Sequence, residues 1–175
     1  RVKQREVVAL VYGGDSSEHE VSVNSGKNVA KKIDRERFSV WEVLLRGKEW
    51  LVVAGDEELK EPIPIDKGDF SFLLPNGDEG QRVNFDKVLI MVHGTPGEDG
   101  LFQAYLEMIG LPFTSCSASV SMLTFDKYAC KAYLRGMDIA MAEELFLRKG
   151  ESYNLEEIKS KFELPLFVKP NMGGS

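Results

Sequence analysis

Two short apolar runs, each ending in a glycine-rich turn that opens into a helical pattern, constrain the fold of this chain more than any other feature. Residues 7–12 are Val-Val-Ala-Leu-Val-Tyr and lead directly into Gly13-Gly14. An unbroken run of this kind has no solvent-facing side, which predicts a strand buried on both faces. Ser17-Glu18-His19-Glu20 matches the S-x-x-E capping box, and Val23, Gly26, Ala30 and Ile33 follow at helical spacing. Residues 88–92 repeat the pattern and end in His93-Gly94-Thr95-Pro96-Gly97-Glu98-Asp99-Gly100. The helix after them should turn Leu101, Phe102, Tyr105, Leu106 and Ile109 inward and stop at Gly110 and Pro112. Strands alternating with helices predict an α/β fold with a mostly parallel sheet.

Between the two units, residues 38–45 and 50–53 read as strands, and 56–68, rich in charge and proline, as a surface loop. Asn76-Gly77 predicts a hairpin between 70–74 and 82–85. Small polar residues from Thr114 to Ser121 mark a domain boundary near 115–121. Beyond it a helix is expected over 125–134, a strand near 143–147, a helix over 156–162 and a strand over 166–169, which runs into Gly173-Gly174-Ser175.

Of the 175 residues, 43% are hydrophobic and 29% charged, which is ordinary for a globular chain with a real core. A net charge of −6 without a basic run argues against a nucleic-acid surface. No apolar stretch is long enough to span a bilayer or to form a signal-peptide core, so a cytoplasmic setting is expected. Cys116 and Cys130 have neither CxxC spacing nor nearby histidines for zinc. The first residue is Arg1 rather than Met, and the last five are Asn-Met-Gly-Gly-Ser; both raise the expectation that the protein continues.

In open parallel sheets ligands bind at the carboxyl edges of the strands, which places residues 13–18 and 93–100 along one rim. Glu18 has two readings. An acid at a helix start complements the positive end of the macrodipole, and the same carboxylate, kept ionised, suits a substrate ammonium. His93 is equally a packed histidine or a group that hydrogen-bonds a substrate carboxylate and moves a proton. Lys127 and Lys131, four apart, share a helix face and are by default a solvated stripe. Lys169 ends an apolar strand before Pro170 and faces a glycine loop, where phosphate is the natural partner. Gly173-Gly174-Ser175 offers unobstructed N–H groups for phosphate but lacks Walker A spacing, and residues 13–16 do not match GxGxxG.

Taken together and in order, residues 13–22 (Gly-Gly-Asp-Ser-Ser-Glu-His-Glu-Val-Ser), residues 93–100, Asp126-Lys127 and Lys169-Pro170 resemble the D-alanine–D-alanine ligase family. The first two motifs are long and specific; the Asp-Lys and Lys-Pro pairs also occur in other ATP-grasp enzymes. Residues 171–173 fall in a stretch that varies within the family. The resemblance implies an amino-terminal, Rossmann-like pre-ATP-grasp domain over residues 1–118. The start of an α+β ATP-grasp domain follows over 119–175. It also implies ligation of two D-alanines, through an acyl phosphate, for peptidoglycan precursors. By motif position Glu18 would hold the first substrate's ammonium and His93 would lie beside its carboxylate. Lys127 and Lys169 would contact ATP phosphates, and Ser175 would join the network around the glutamate. The Mg2+ carboxylates, and the arginine that stabilises the tetrahedral intermediate, are expected beyond Ser175. The 175-residue stretch by itself is therefore expected to be inactive. Family habit suggests a homodimer. Competing readings are another ATP-grasp ligase, a D-alanyl-D-lactate-forming ligase, and a non-catalytic small-molecule binding module; Lys127 and Lys169 together speak against the last.

Overall fold

The computed structural model describes residues 5–76 and 80–173. They fall into two compact units, one extending to Met122 and the other covering Leu123–Gly173. The first contains β1 (Glu6–Gly13), α1 (His19–Ala30), β2 (Phe38–Arg46), β3 (Glu49–Ala54), β4 (Ile63–Pro64), β5 (Phe72–Leu74), β6 (Gln81–Val83), β7 (Lys87–Ile90) and α2 (Leu101–Met108). A further helix, α3 (Ala118–Phe125), follows.

The main sheet has the order β4-β3-β2-β1-β7. The apolar run in β1 holds an inner place, parallel to β2 on one side and to β7 on the other. Ala9, Leu10 and Val11 are wholly buried, as a strand without a polar face requires. Leu10 and Val11 each contribute roughly 1.5–3 kcal/mol of burial. The parallel trio is extended by an antiparallel pair of junctions, β2 with β3 and β3 with β4, so the sheet is mixed and the α/β class stands.

Both faces of the sheet are covered. On one, Val23, Val29 and Ala30 of α1 pack over Val8, Leu10, Tyr12 and Val40. The helix comes close because residue 26 has no side chain: a Cβ there would stand 2.2 Å from the Tyr12 ring. On the other, Phe102 and Leu106 of α2 join Trp41, Phe70, Phe72 and Phe85. Trp50 meets Phe102 edge to face at 5.5 Å. The expected inward place of Leu101 is not observed. It is 58% exposed, because the buried stripe of α2 runs through Phe102, Gln103 and Leu106.

Two further expectations change. The surface loop over 56–68 contains β4, where Ile63 pairs with Val52, and Ile65 is buried; its charge and proline content concealed a two-residue edge strand. The polar stretch before residue 121 holds the start of α3, whose first residue, Ala118, donates its N–H to Glu107 Oε1 on α2 at 3.0 Å. A bond partner supplied from another helix leaves no local sequence signature. The hairpin of β5 and β6 is observed, with Leu74 opposite Gln81. Its turn is longer than Asn76-Gly77, and Gly77 lies outside the described residues.

In the second unit, α4 (Lys127–Leu134) begins one residue after Asp126, whose carboxylate accepts the Ala129 N–H at 2.8 Å. α5 (Leu155–Lys161) is capped by Asn154 in the same manner. The strands expected over 143–147 and 166–169 do not form. Phe167 and Val168 are 91% and 94% exposed, so Lys169 does not end a buried strand. A strand exists through its hydrogen-bonded neighbour, and neither segment has one among the described residues. No described residue from 123 to 173 is buried. Among the described residues no helix is long and apolar enough to cross a membrane.

Candidate functional site

β1 and β7 are adjacent and parallel, so the turns that leave their carboxyl ends emerge side by side. The first turn passes through Gly13 and Gly14 at φ +100° and +92°. A Cβ on Gly14 would stand 2.6 Å from Val92 Cγ1 and 2.8 Å from the Thr95 carbonyl oxygen, so only glycine lets the turns approach this closely. They are joined by two bonds. The Asp15 N–H donates to Thr95 O at 2.9 Å, and the Ser16 hydroxyl donates to His93 O at 2.8 Å. Behind them, the buried Ser22 hydroxyl accepts the Gly13 N–H at 2.9 Å and donates to Met91 O at 2.7 Å.

Glu18 occupies the N-cap position of α1 with φ −91° and ψ 11°, and the helix begins at His19. The capping box expected at Ser17 and Glu20 is not made. The Glu18 N–H is instead accepted by the Ser16 hydroxyl at 3.1 Å, and the cap residue makes no side-chain capping bond. The Glu18 carboxylate is thereby left available at the positive end of a 12-residue helix. It lies beside the second turn, since an atom at the Cβ position of Gly94 would be 3.8 Å from Glu18 Oε2. Glu18 and the turn that carries His93 therefore share one rim, as expected.

The second turn is braced from within. Glu98 Oε2 accepts the Gly94 N–H at 2.7 Å, and the Thr95 hydroxyl donates to the Asp99 carboxylate. From α2 the buried Gln103 donates through Nε2 to Gly97 O at 2.5 Å. Sequence reasoning passed over Ser16, Glu98, Asp99 and Gln103 as individuals. The i,i+4 spacing of Gly94 with Glu98 and of Thr95 with Asp99 was the available signal, and the Ser16 contact, 77 residues away in sequence, had none. A separate groove of about 600 Å3 lies between α1 and the β2–β3 face, lined by Tyr12, His19, Lys27, Glu42 and Val53; neither Glu18 nor His93 lines it.

Within the second unit, residues 171–173 are tied to the start of α4. Asn171 O accepts the Lys127 N–H at 3.2 Å, Asn171 Oδ1 accepts the Tyr128 N–H at 2.8 Å, and Asn171 Nδ2 donates to Asp126 Oδ1 at 2.9 Å. The Ala129 N–H and, after it, the Asn171 amide hold the Asp126 carboxyl below the ordinary carboxylate range. The Lys127 ammonium donates to Gly173 O at 3.1 Å, which sets it at the opening of the glycine loop. Lys131 is instead paired with Glu144 at 3.1 Å. The Lys169 ammonium stands over the Phe167 ring, 5.8 Å from its centre. Gly174 and Ser175 lie outside the described residues, so the serine expected near Glu18 has no described position. Among the described residues there is no cluster of three or more His, Cys, Asp or Glu that could hold a metal ion.

The family model described as D-ala D-ala ligase N-terminus matches residues 7–116. A D-alanine–D-alanine ligase of Phocaeicola vulgatus is 43% identical over 171 residues, which is 98% of this chain and 51% of that protein. The solved D-Ala:D-Ser ligase from Enterococcus faecalis is similar in structure, with a TM-score of 0.74 and 27% identity over 98% of this chain and 54% of that one. A D-alanine–D-alanine ligase from Bacillus anthracis, solved in complex with ATP, gives 0.67 and 27% over 96% and 48%. The chain spans about half the length of the curated relatives it matches. With the matched segment running from β1 past α2, and so through both turns of the rim, the chain belongs to the D-ala D-ala ligase N-terminus family.

Proposed function

We propose that the chain forms the amino-terminal half of an ATP-dependent ligase that joins two D-alanines for peptidoglycan precursor synthesis. The observation that carries this reading is the rim itself: Asp15 N to Thr95 O and Ser16 Oγ to His93 O fasten the two family motifs edge to edge. A small amino acid needs its two ends fixed at one spacing, and two groups on adjoining turns meet that demand. Glu18 holds the ammonium of the first D-alanine, and His93 hydrogen-bonds its carboxylate. That carboxylate attacks the γ-phosphate of ATP, breaking its bond to the bridging oxygen, to give an acyl phosphate and ADP. The amine of the second D-alanine then displaces phosphate through a tetrahedral intermediate.

Transfer between two anions requires cations that offset the accumulating charge. Lys127, at the glycine loop, fits that task, and its present acceptor, Gly173 O, is exchanged for phosphate oxygen when ATP binds. Lys169 lies four residues before Gly173, and its ammonium stands over the Phe167 ring. Mg2+ accompanies ATP in this reading, with its carboxylate ligands placed by the family resemblance rather than by any residue described above. A D-alanine–D-alanine ligase 43% identical to this chain supports D-alanine as the second substrate in this reading.

The test is phosphate release by the complete protein. We expect it to require both ATP and D-alanine, and no D-alanine dependence would overturn the reading. Glu18→Gln then separates the two roles of that residue. A group that only complements the helix dipole would cost roughly 0.3–1 kcal/mol of stability on loss of its charge and leave kinetics intact. As an ammonium ligand, its loss weakens the first D-alanine at least about tenfold, roughly 1.4 kcal/mol, with ATP affinity unchanged.

A further inference from the structure

The hydroxyl of Ser16 is engaged twice, in opposite senses, by the two groups on which the ligase reading depends. It accepts the backbone N–H of Glu18 at 3.1 Å and donates to the backbone carbonyl of His93 at 2.8 Å. The first contact alone is a local serine turn of the kind found at many helix starts. The second reaches across 77 residues to another strand's turn, and a local turn has no need of it. One oxygen atom therefore bonds the backbone of both the residue that presents the carboxylate and the residue that presents the imidazole.

Ser16 is not alone in keeping the turns together. The bond from Asp15 N to Thr95 O at 2.9 Å and, beneath it, Ser22 between Gly13 N and Met91 O hold them as well. Nor does Ser16 fill space in the core, since it is only half-buried. Its close neighbour is Gly94, where a Cβ would stand 2.6 Å from both Ser16 Cβ and Ser16 Oγ, so a side chain at 94 would displace the hydroxyl. Glycine at 94 and serine at 16 form one fitted contact, and Glu18 Oε2 lies 3.8 Å from the same Cβ position.

We propose that Ser16 is a positioning residue, which sets the Glu18 carboxylate and the His93 ring at the spacing of the two ends of a bound α-amino acid. This rests on the ligase reading for the identity of the amino acid, but not for the strut itself. Without the hydroxyl, the Glu18 N–H and the His93 carbonyl each lose a partner in a half-buried place, and the two turns are free to shift against each other by small amounts. A shift of that size loosens a site whose ligand must be held at both ends, while the sheet beneath stays intact.

The test uses the complete protein carrying Ser16→Ala and, separately, Ser16→Thr, which restores a hydroxyl. In Ser16→Ala we expect KM for the tighter D-alanine subsite to rise at least about tenfold, with KM for ATP within about twofold of wild type. Ser16→Thr should recover most of the loss. A second readout needs no activity: in hydrogen exchange the Glu18 amide should be protected in wild type and Ser16→Thr and lose protection in Ser16→Ala, with β1 amides unchanged. Equal D-alanine KM in wild type and Ser16→Ala overturns the proposal, as does a parallel loss for ATP and D-alanine or a threonine variant as poor as the alanine one. Should wild type show no D-alanine-dependent turnover, the ligase reading falls, and the Glu18 amide alone then decides the strut: exchange equal in wild type and Ser16→Ala overturns it.

Discussion

Gly26 illustrates how a single residue sets the distance between a helix and a sheet. Propensity alone favours alanine in a helix interior by roughly 0.8–1 kcal/mol over glycine, so Gly26→Ala would stabilise α1 if nothing stood against it. A Cβ at this position, however, would lie 2.2–2.8 Å from three atoms of Tyr12. Tyr12 is 2% exposed, and its hydroxyl donates to Glu42 at 2.9 Å, so the ring has little room to give way. Burial, followed by the neighbouring Glu42 carboxylate, also pushes the Tyr12 phenol well above its ordinary pKa, so it stays a neutral donor throughout the usual pH range. Overpacking of this kind costs roughly 1–3 kcal/mol, which exceeds the propensity gain. Gly26→Ala is therefore expected to lower the urea midpoint at an unchanged slope, and a raised midpoint would show that α1 can move off Tyr12 freely.

At the scale of elements, the start of α4 is a joint product of Asp126 and Asn171, and its pH dependence has a definite sign. The Asp126 carboxyl is held below its usual value by the Ala129 N–H and then by the Asn171 amide. A lowered native pKa means that the contribution is complete above the unfolded value of about 3.9 and fades as pH falls through the native one. Asp126→Ala should cost roughly 0.5–2 kcal/mol at neutral pH, measured by urea unfolding. The gap between the two proteins should close under acid conditions; a gap that widened there would contradict the assigned cap. Asp126 also shows what a sequence discloses about elements. Helix starts and buried parallel strands carry their cause locally, so β1, β7, α4 and α5 were legible, and so was the placing of Glu18 and the His93 turn on one rim. The start of α3 carried no such signal in its Ala118 N–H, whose partner, Glu107, lies on another helix. The apolar pattern over 143–147 and 166–169 was read as strand, but that state depends on a neighbour that no local pattern supplies. Lys169 inherited the error, since its expected setting was borrowed from the strand.

Across the whole molecule, order is distributed unevenly. The first unit has Ala9, Leu10, Val11, Val40, Val43 and Val52 wholly out of solvent, whereas no described residue from 123 to 173 is buried. Protection against amide exchange follows such differences in packing. A polypeptide of residues 1–175 should thus show its slowest exchange in β1 and fast exchange throughout 123–173, and it should release no D-alanine-dependent phosphate. Comparable protection in both units, or turnover by this stretch, would count against that division. The position of β1 carries one more consequence. Its partners are β2 and, from residue 87 onward, β7, so during synthesis β1 waits about eighty residues with one edge unsealed. Glu18 follows β1 closely but has no counterpart until His93 arrives just after the strand that seals that edge. A half-finished sheet therefore presents half a rim, and the chain acquires both sides of that rim in the same event that closes the sheet.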